Sequence, residues 1–472
     1  DALPICWYKT QVDNKSYALH FYDDWSDVFS TDTTISYADF QQNRGPYNGT
    51  PMPDVSVCVN SVNGCGSTSS SSPGVEFGTE YSSQANVLHV KTLNAAWAGT
   101  LYLGDHTVKG GFDFQRGQYY NLFLQNAFGS YQFNNLADFN AGKYYLYRFN
   151  TPAAGLGLSD VAANFELKEY GLFLQDTWQV NSNLSVQYGF RVDIPLTSDR
   201  PLYNPCYAAA PGQAVIAANC VSPQGGFGRT NVSTINGNRQ VQPRASFNYT
   251  FDTERMTQLR GGAGLFISNP PSVWLGNIYQ NSGVTQVQFA CGPSSSASAA
   301  CKPGSVGYPV FSTDPNGQNA GSAPIPGAKG AQMAVSTVSD NFQIPSVWKM
   351  SLGFDRELPW WGVVFSADYE HIKNRNAIWY QNLNIGAPTG VLPDGRFTYY
   401  KNPKGGSTGN TSRANANPAF GDAVINLANS DQGSADSLSL ALKKPFADEW
   451  SAMAGFTWSR ATEVNPGTSS VA

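Results

Sequence analysis

Between Leu184 and Asp193 apolar and polar residues alternate without a break. Leu184, Val186, Tyr188, Phe190 and Val192 fall on one face, and Ser185, Gln187, Gly189, Arg191 and Asp193 on the other. A repeat of two is that of a strand, because successive side chains leave a pleated backbone on opposite sides. The preceding run, Glu169 to Gln179, is also strand-like, and Asn181-Ser182-Asn183 joins the two into a hairpin. The design recurs in SYALHFYDDW with FSTDTTISY, AAWAGTLYL with TVKGGFDF, RASFNYTF with QLRGGAGLF, WKMSLGFDREL with VVFSADYEH, and SLSLALKKP with WSAMAGFTWS. Each pair is closed by a short connection, which gives about six hairpins.

Between hairpins the chain runs for roughly 40 to 75 residues through Gly, Ser, Asn and Pro, far beyond the ~15 residues that a compact soluble domain tolerates without structure. Short turns alternating with long loops are instead the asymmetry of an outer-membrane barrel, with turns on the periplasmic side and loops outside. The pattern therefore predicts an all-β fold: an antiparallel up-and-down transmembrane β-barrel with long extracellular loops. In such a barrel the apolar faces look into lipid and the polar faces into the lumen. An arginine at Tyr188 is then expected to be costly and one at Gln187 tolerated. Tryptophan supports this orientation, since indole gathers at membrane interfaces. Trp25, Trp178, Trp360, Trp361 and Trp450 lie beside short turns and form a candidate periplasmic girdle. Trp458 shares a face with Trp450 eight residues away, a height of roughly 20 Å on a tilted strand.

Composition adds limits. Only 13% of residues are charged, and 46 Gly, 24 Tyr, 27 Phe and 11 Trp suit strands and turns. A net charge of −5 leaves no basic footprint for nucleic acid. No apolar run approaches the ~18 residues of a membrane helix, which says nothing about strands. No secretory leader opens the chain.

Seven cysteines are present, and six form sequence-local pairs inside loops: Cys58 with Cys65, Cys206 with Cys220, and Cys291 with Cys301. These are disulfide candidates of an oxidising compartment. Cys6 is left over, with a partner expected upstream of Asp1. Zinc is disfavoured because no C-x-x-C occurs and no histidine lies near a cysteine. His20, His89, His106 and His371 are scattered singly, so no catalytic residue, metal site or cofactor site is assigned and the protein is not expected to be an enzyme. Gly261-Gly262-Ala263-Gly264 lacks the spacing of a dinucleotide loop. The run from Thr313 has some flavour of a calcium loop but lacks its closing acid. The functional chemistry on offer is the set of lumen-facing candidates Lys109, Asp113, Arg191, Asp193, Arg244, Arg260, Lys349, Asp355 and Asp368.

KGGFDFQRGQYYNLFLQNAFGSYQF, EYGLFLQDTWQVNSNLSVQYGFRVD, VQPRASFNYTF with LRGGAGLF, IPSVWKMSLGFDREL and SLSLALKKPFADEWSAMAGFTWSRATE, taken together, resemble the barrel of Oar-like TonB-dependent outer-membrane receptors. The resemblance implies a large plugged barrel, for which 22 strands are usual. The hairpins supply only about twelve. Residues 1–472 are thus expected to be a portion of one barrel domain, lacking the signal peptide, the plug and the TonB-contacting segment. The implied function is energy-coupled passage of a bulky solute, peptide or protein across the bacterial outer membrane. The implied partners are outer-membrane lipid, TonB through a plug segment, and an unidentified ligand. The alternatives are a surface adhesin or structural barrel, and a small unplugged porin. A barrel protease would need His20, His89 or His371 to meet acids at the rim.

Overall fold

The alternation seen in the sequence is realised as long paired strands. The computed structural model describes residues 5–6, 8–62, 65, 73–268, 272–292, 309–318, 332–400 and 413–465. Its wall contains β1 (Tyr8–Ser26), β2 (Phe29–Pro46), β3 (Asn86–Leu103), β4 (His106–Phe123), β5 (Ala163–Gln179), β6 (Leu184–Leu196) and β7 (Gln240–Thr250). It continues with β8 (Thr257–Ile267), β9 (Ser346–Glu357), β10 (Val364–Asn382), β11 (Phe420–Ser430), β12 (Ser434–Ala447) and β13 (Trp450–Thr462). Neighbours in sequence are neighbours in the sheet, antiparallel throughout this meander. Each hairpin expected from the pattern is present.

β11 and β12 act as one strand, since β11 pairs with Ala377–Asn382 of β10 and β12 with Val364–Lys373. Asp448 and Glu449, both at positive φ, make the two-residue turn that opposes Ala447 to Trp450, the turn whose twist suits a hairpin. Among the described residues β1 pairs only with β2, and β13 only with β12. The wall is therefore an open sheet, and β1 and β13 do not close it into a small barrel.

The loops depart from expectation. Instead of running without structure they assemble a second sheet, ordered Ile5–Cys6, Gly74–Gly78, Asp54–Cys58, Ser130–Phe133, Leu146–Pro152 and Gln286–Cys291. One face of this cap sheet carries Val55, Val57, Tyr131, Phe133 and Tyr147, which join Tyr144 and Cys291 in an apolar core. The opposite face carries Ser56, Gln132, Arg148, Asn150 and Gln288. Further buried clusters surround Ala163, Phe165 and Ile278, and surround Tyr207, Val335 and Phe420. Most of the buried apolar residues thus lie above the wall. These strands escaped the sequence pattern because they are short and each is completed by a loop far away in the chain.

Candidate functional site: inner wall and mouth

Directly paired residues share a face of a sheet, so the register decides which way each candidate points. Lys109 is in line with Gln175, Gly189, Arg244, Gly264 and Lys349. Asp113 is in line with Gly171 and Asp193, and Arg260 with Gly353 and Asp368. All nine lumen candidates consequently share one face. Near the open end of the wall, helix α1 (Ser272–Gln280) packs on this same face through Phe165 and Leu167 of β5, and Phe165 stacks on Tyr279 at 4.6 Å.

The charges on this face are organised around two glycines. Arg191 crosses Gly171 to bind Asp113 with both terminal nitrogens, at 2.5 and 2.8 Å, and binds Asp193 at 2.5 and 2.8 Å. A Cβ on Gly171 would lie 2.2 Å from the Arg191 guanidinium. Arg260 crosses Gly353 in the same way, reaching Asp368 at 2.8 Å and Asp355 at 3.3 Å. A Cβ on Gly353 would lie 1.9 Å from that guanidinium. Arg244 instead lies over the Phe266 ring at 4.3 Å, with the Lys349 ammonium 5.8 Å from the same ring. The sequence supplied the charged residues of these networks but neither glycine.

The opposite face is apolar over a defined height. On β4 and β5 it begins at His106 and Trp178, whose rings stack at 5.5 Å, and continues through Phe112, Phe114, Tyr170, Leu172 and Leu174. It ends where Arg116 and Lys168 bind Glu166 at 2.5 and 3.1 Å. Ten residues separate His106 from Arg116, about 25 Å along the membrane normal for tilted strands, the height of an outer-membrane apolar band. Lys15, Asp39, Lys91, Gln118 and Glu166 follow one another across five strands as a polar collar above it. At the turn end, Trp25 donates to Thr31 and Trp361 meets Trp450 edge to face at 5.9 Å. Trp360 is exposed within the same turn as Trp361.

Every histidine has an aspartate on an adjacent strand: His20 with Asp32 at 2.7 Å, His89 with Asp39 at 2.9 Å, His106 with Asp176 at 2.7 Å and His371 with Asp436 at 2.8 Å. The four sit on β1, β3, β4 and β10 respectively. Among the described residues no three His, Cys, Asp or Glu side chains form a metal-binding group. The Tyr188 hydroxyl donates to Asp176 at 2.8 Å. An arginine at 188 would therefore find a counter-ion, which corrects the choice of that position as a probe of lipid exposure.

Disulfides join Cys58 to Cys65 and Cys206 to Cys220 within the cap. Cys291 is buried and disulfide-bonded, whereas Cys301 lies outside the described residues. In the cap core Tyr131 stacks on Tyr147 at 4.6 Å, and burial pushes its hydroxyl up to about 12. Burial raises Tyr147 as well, and Tyr131 beside it adds to the rise. Burial alone would raise Glu80, but donation from Ser83 and Ser82 outweighs it and holds the carboxyl below its ordinary value.

Between the cap sheet, α1 and the upper ends of β10 and β11 lies a cavity of about 210 Å³. A second cavity of about 320 Å³ runs along the polar face of the cap sheet and shares Gln125, Asn150 and Gln288 with the first.

A wall with one lipid-type face and one charged face, capped at a single end, is the architecture of an outer-membrane β-barrel protein. The family model for the outer membrane beta barrel domain matches residues 9–472, and the chain belongs to that family. It is a protein of the bacterial outer membrane. Among solved structures it is similar to the outer membrane transporter YddB from Escherichia coli, with 11% identity, a TM-score of 0.50, and coverage of 96% of this chain and 43% of the other. It is also similar to a mutant of the ferric enterobactin receptor PfeA from Pseudomonas aeruginosa, at 13% identity and a TM-score of 0.47, covering 95% and 43%. The ferric-catecholate import receptor Fiu from E. coli K12 shows 13% identity and a TM-score of 0.43, covering 98% and 50%. The likeness is one of fold, and the chain spans half or less of each of these proteins. No curated protein sequence matches it.

Proposed function

We propose that this chain forms wall and cap of an energy-coupled outer-membrane receptor that moves a bulky solute inward. In this reading further strands pair with the free edges of β1 and β13, because unpaired backbone groups in lipid cost several kcal/mol each. A plug gates the lumen, and TonB supplies the pull. The chain performs no bond chemistry. The observation that carries the proposal is the folded cap, which encloses with α1 and the upper wall a cavity that continues along the polar face of the cap sheet. A passive pore has no use for a ligand-sized site above its mouth. An adhesin would carry its binding surface on the outside of the cap, whereas the 210 Å³ cavity lies between cap and wall.

The test is depletion of solutes from the medium of the producing bacterium, followed by mass spectrometry. Deleting the gene and adding a protonophore should abolish uptake of the same compounds. Uptake that the gene supports and the protonophore spares would replace the receptor with a pore. Unchanged uptake with lost surface attachment would replace it with an adhesin.

A further inference from the structure

The smaller mouth cavity has a lining with a definite chemistry. Trp274 of α1 and Tyr380 of β10 meet at 5.0 Å and 78° and supply aromatic surface. Around them stand the carboxamides of Gln125, Asn150, Gln286 and Gln288. None of these four side chains hydrogen-bonds to protein among the described residues. The Tyr380 hydroxyl is buried on this wall and has no hydrogen-bond partner among the described residues. The buried Tyr380 hydroxyl is costly to leave unmet, while the carboxamides, from buried Asn150 to exposed Gln288, are open to a ligand entering the cavity. The cavity contains no Asp, Glu, Lys, Arg, His, Cys or Met. An anionic ligand would therefore find no cation, and a soft metal ion no ligand.

We infer that this cavity binds a neutral, polyhydroxylated ligand, a sugar ring of an oligosaccharide. A carboxamide donates and accepts at once, as neighbouring hydroxyls require, and an aromatic face suits the apolar C–H side of a pyranose. The adjoining 320 Å³ cavity, reached past Gln125, Asn150 and Gln288, runs along the polar face of the cap sheet, where Asp54, Glu76 and Arg148 join its lining, and gives a longer glycan room to continue. The inference rests on the receptor reading only for the role of the site, because binding is measured without transport.

The experiment uses the full-length receptor in detergent, titrated with an array of neutral hexasaccharides and, in parallel, uncharged hexapeptides, while tryptophan emission is followed. At least one glycan should bind and shift the emission, with an affinity that changes less than twofold between low and high salt. Trp274→Ala should abolish the shift and weaken binding at least tenfold. Gln288→Ala, which removes no protein hydrogen bond among the described residues, should weaken binding at least fivefold while protease resistance of the cap stays unchanged. Binding of the peptides alone, of glycans with equal affinity in both variants, or of no array member at millimolar concentration would overturn the inference. Glycan binding without energy-dependent uptake would leave it standing and remove the receptor reading instead.

Discussion

Wall and cap are both antiparallel-rich β structure from one chain, yet they are stabilised by opposite means. The cap has an apolar core: Tyr131 is 1% exposed, and Tyr144, Tyr147 and Phe311 surround it at ring distances of 4.6 to 5.4 Å. The wall presents its apolar residues outward, with Phe112 45% and Leu172 57% exposed. Its cohesion comes from backbone ladders, with the outer face left to lipid, where unpaired backbone groups find no water. The cap obeys the rules of a soluble domain: buried aromatics, disulfides and titratable groups shifted by burial. A change that is severe in one region should therefore be mild in the other.

The largest expected effect is in the cap. Tyr131→Ala should cost about 3–5 kcal/mol of cap stability, as expected for removing a large buried ring. Hydrogen exchange should then rise across residues 54–58, 130–133 and 146–152 while the wall amides remain protected. Next comes the lipid face of the wall, where Leu172→Arg should cost about 2–4 kcal/mol because the site lies midway between the Trp178 and Glu166 levels, and Gln187→Arg on the other face should cost much less. Denaturant titration in lipid vesicles checks both. If the two arginines were equally tolerated, the assignment of faces would be wrong.

These expectations depend on features that were unequally visible in the sequence. The hairpins were legible because alternation persists over nine or more residues, as from Leu184 to Val192, and because each partner strand follows at once. The nine charged candidates on the inner face were legible for the same reason. The pairing of His106 with Asp176 was not, since 70 residues separate them and only the register of β4 against β5 joins them. Gly171 and Gly353 gave no sign, because their role is to leave space for a side chain from another strand. The cap was hidden most completely. Val55 and Val57 alternate with Ser56, but the run is five residues long and its parallel neighbour is Ser130–Phe133 from a different loop.

A smaller effect is expected on the inner face. Gly171→Ala should displace Arg191 and leave Asp113 facing Asp193, costing about 1–3 kcal/mol through overpacking and loss of the ion pair. Gly353→Ala should act alike on Arg260, whereas Gly104→Ala in a turn with open space around it should perturb neither network. Conductance of the reconstituted protein would report the altered inner charge. The mildest effect distinguishes the regions by pH. A tyrosine whose hydroxyl is raised in the folded state lends stability that is complete below its ordinary value of 10.0 and is lost as pH climbs toward about 12. Cap amides should therefore lose protection across that window before the wall strands separate.

The central claim is that odd-numbered positions of β5 face the lumen beneath the cap and even-numbered positions face lipid. Single cysteines at 170 and 172 to 175, introduced with Cys6 replaced by Ser and labelled with bimane in vesicles containing nitroxide-bearing lipid, test it most directly. Strong quenching is predicted at 170, 172 and 174, and weak quenching at 173 and 175, where a water-soluble quencher should act instead. Equal quenching at all five positions, or the reverse alternation, would contradict the account.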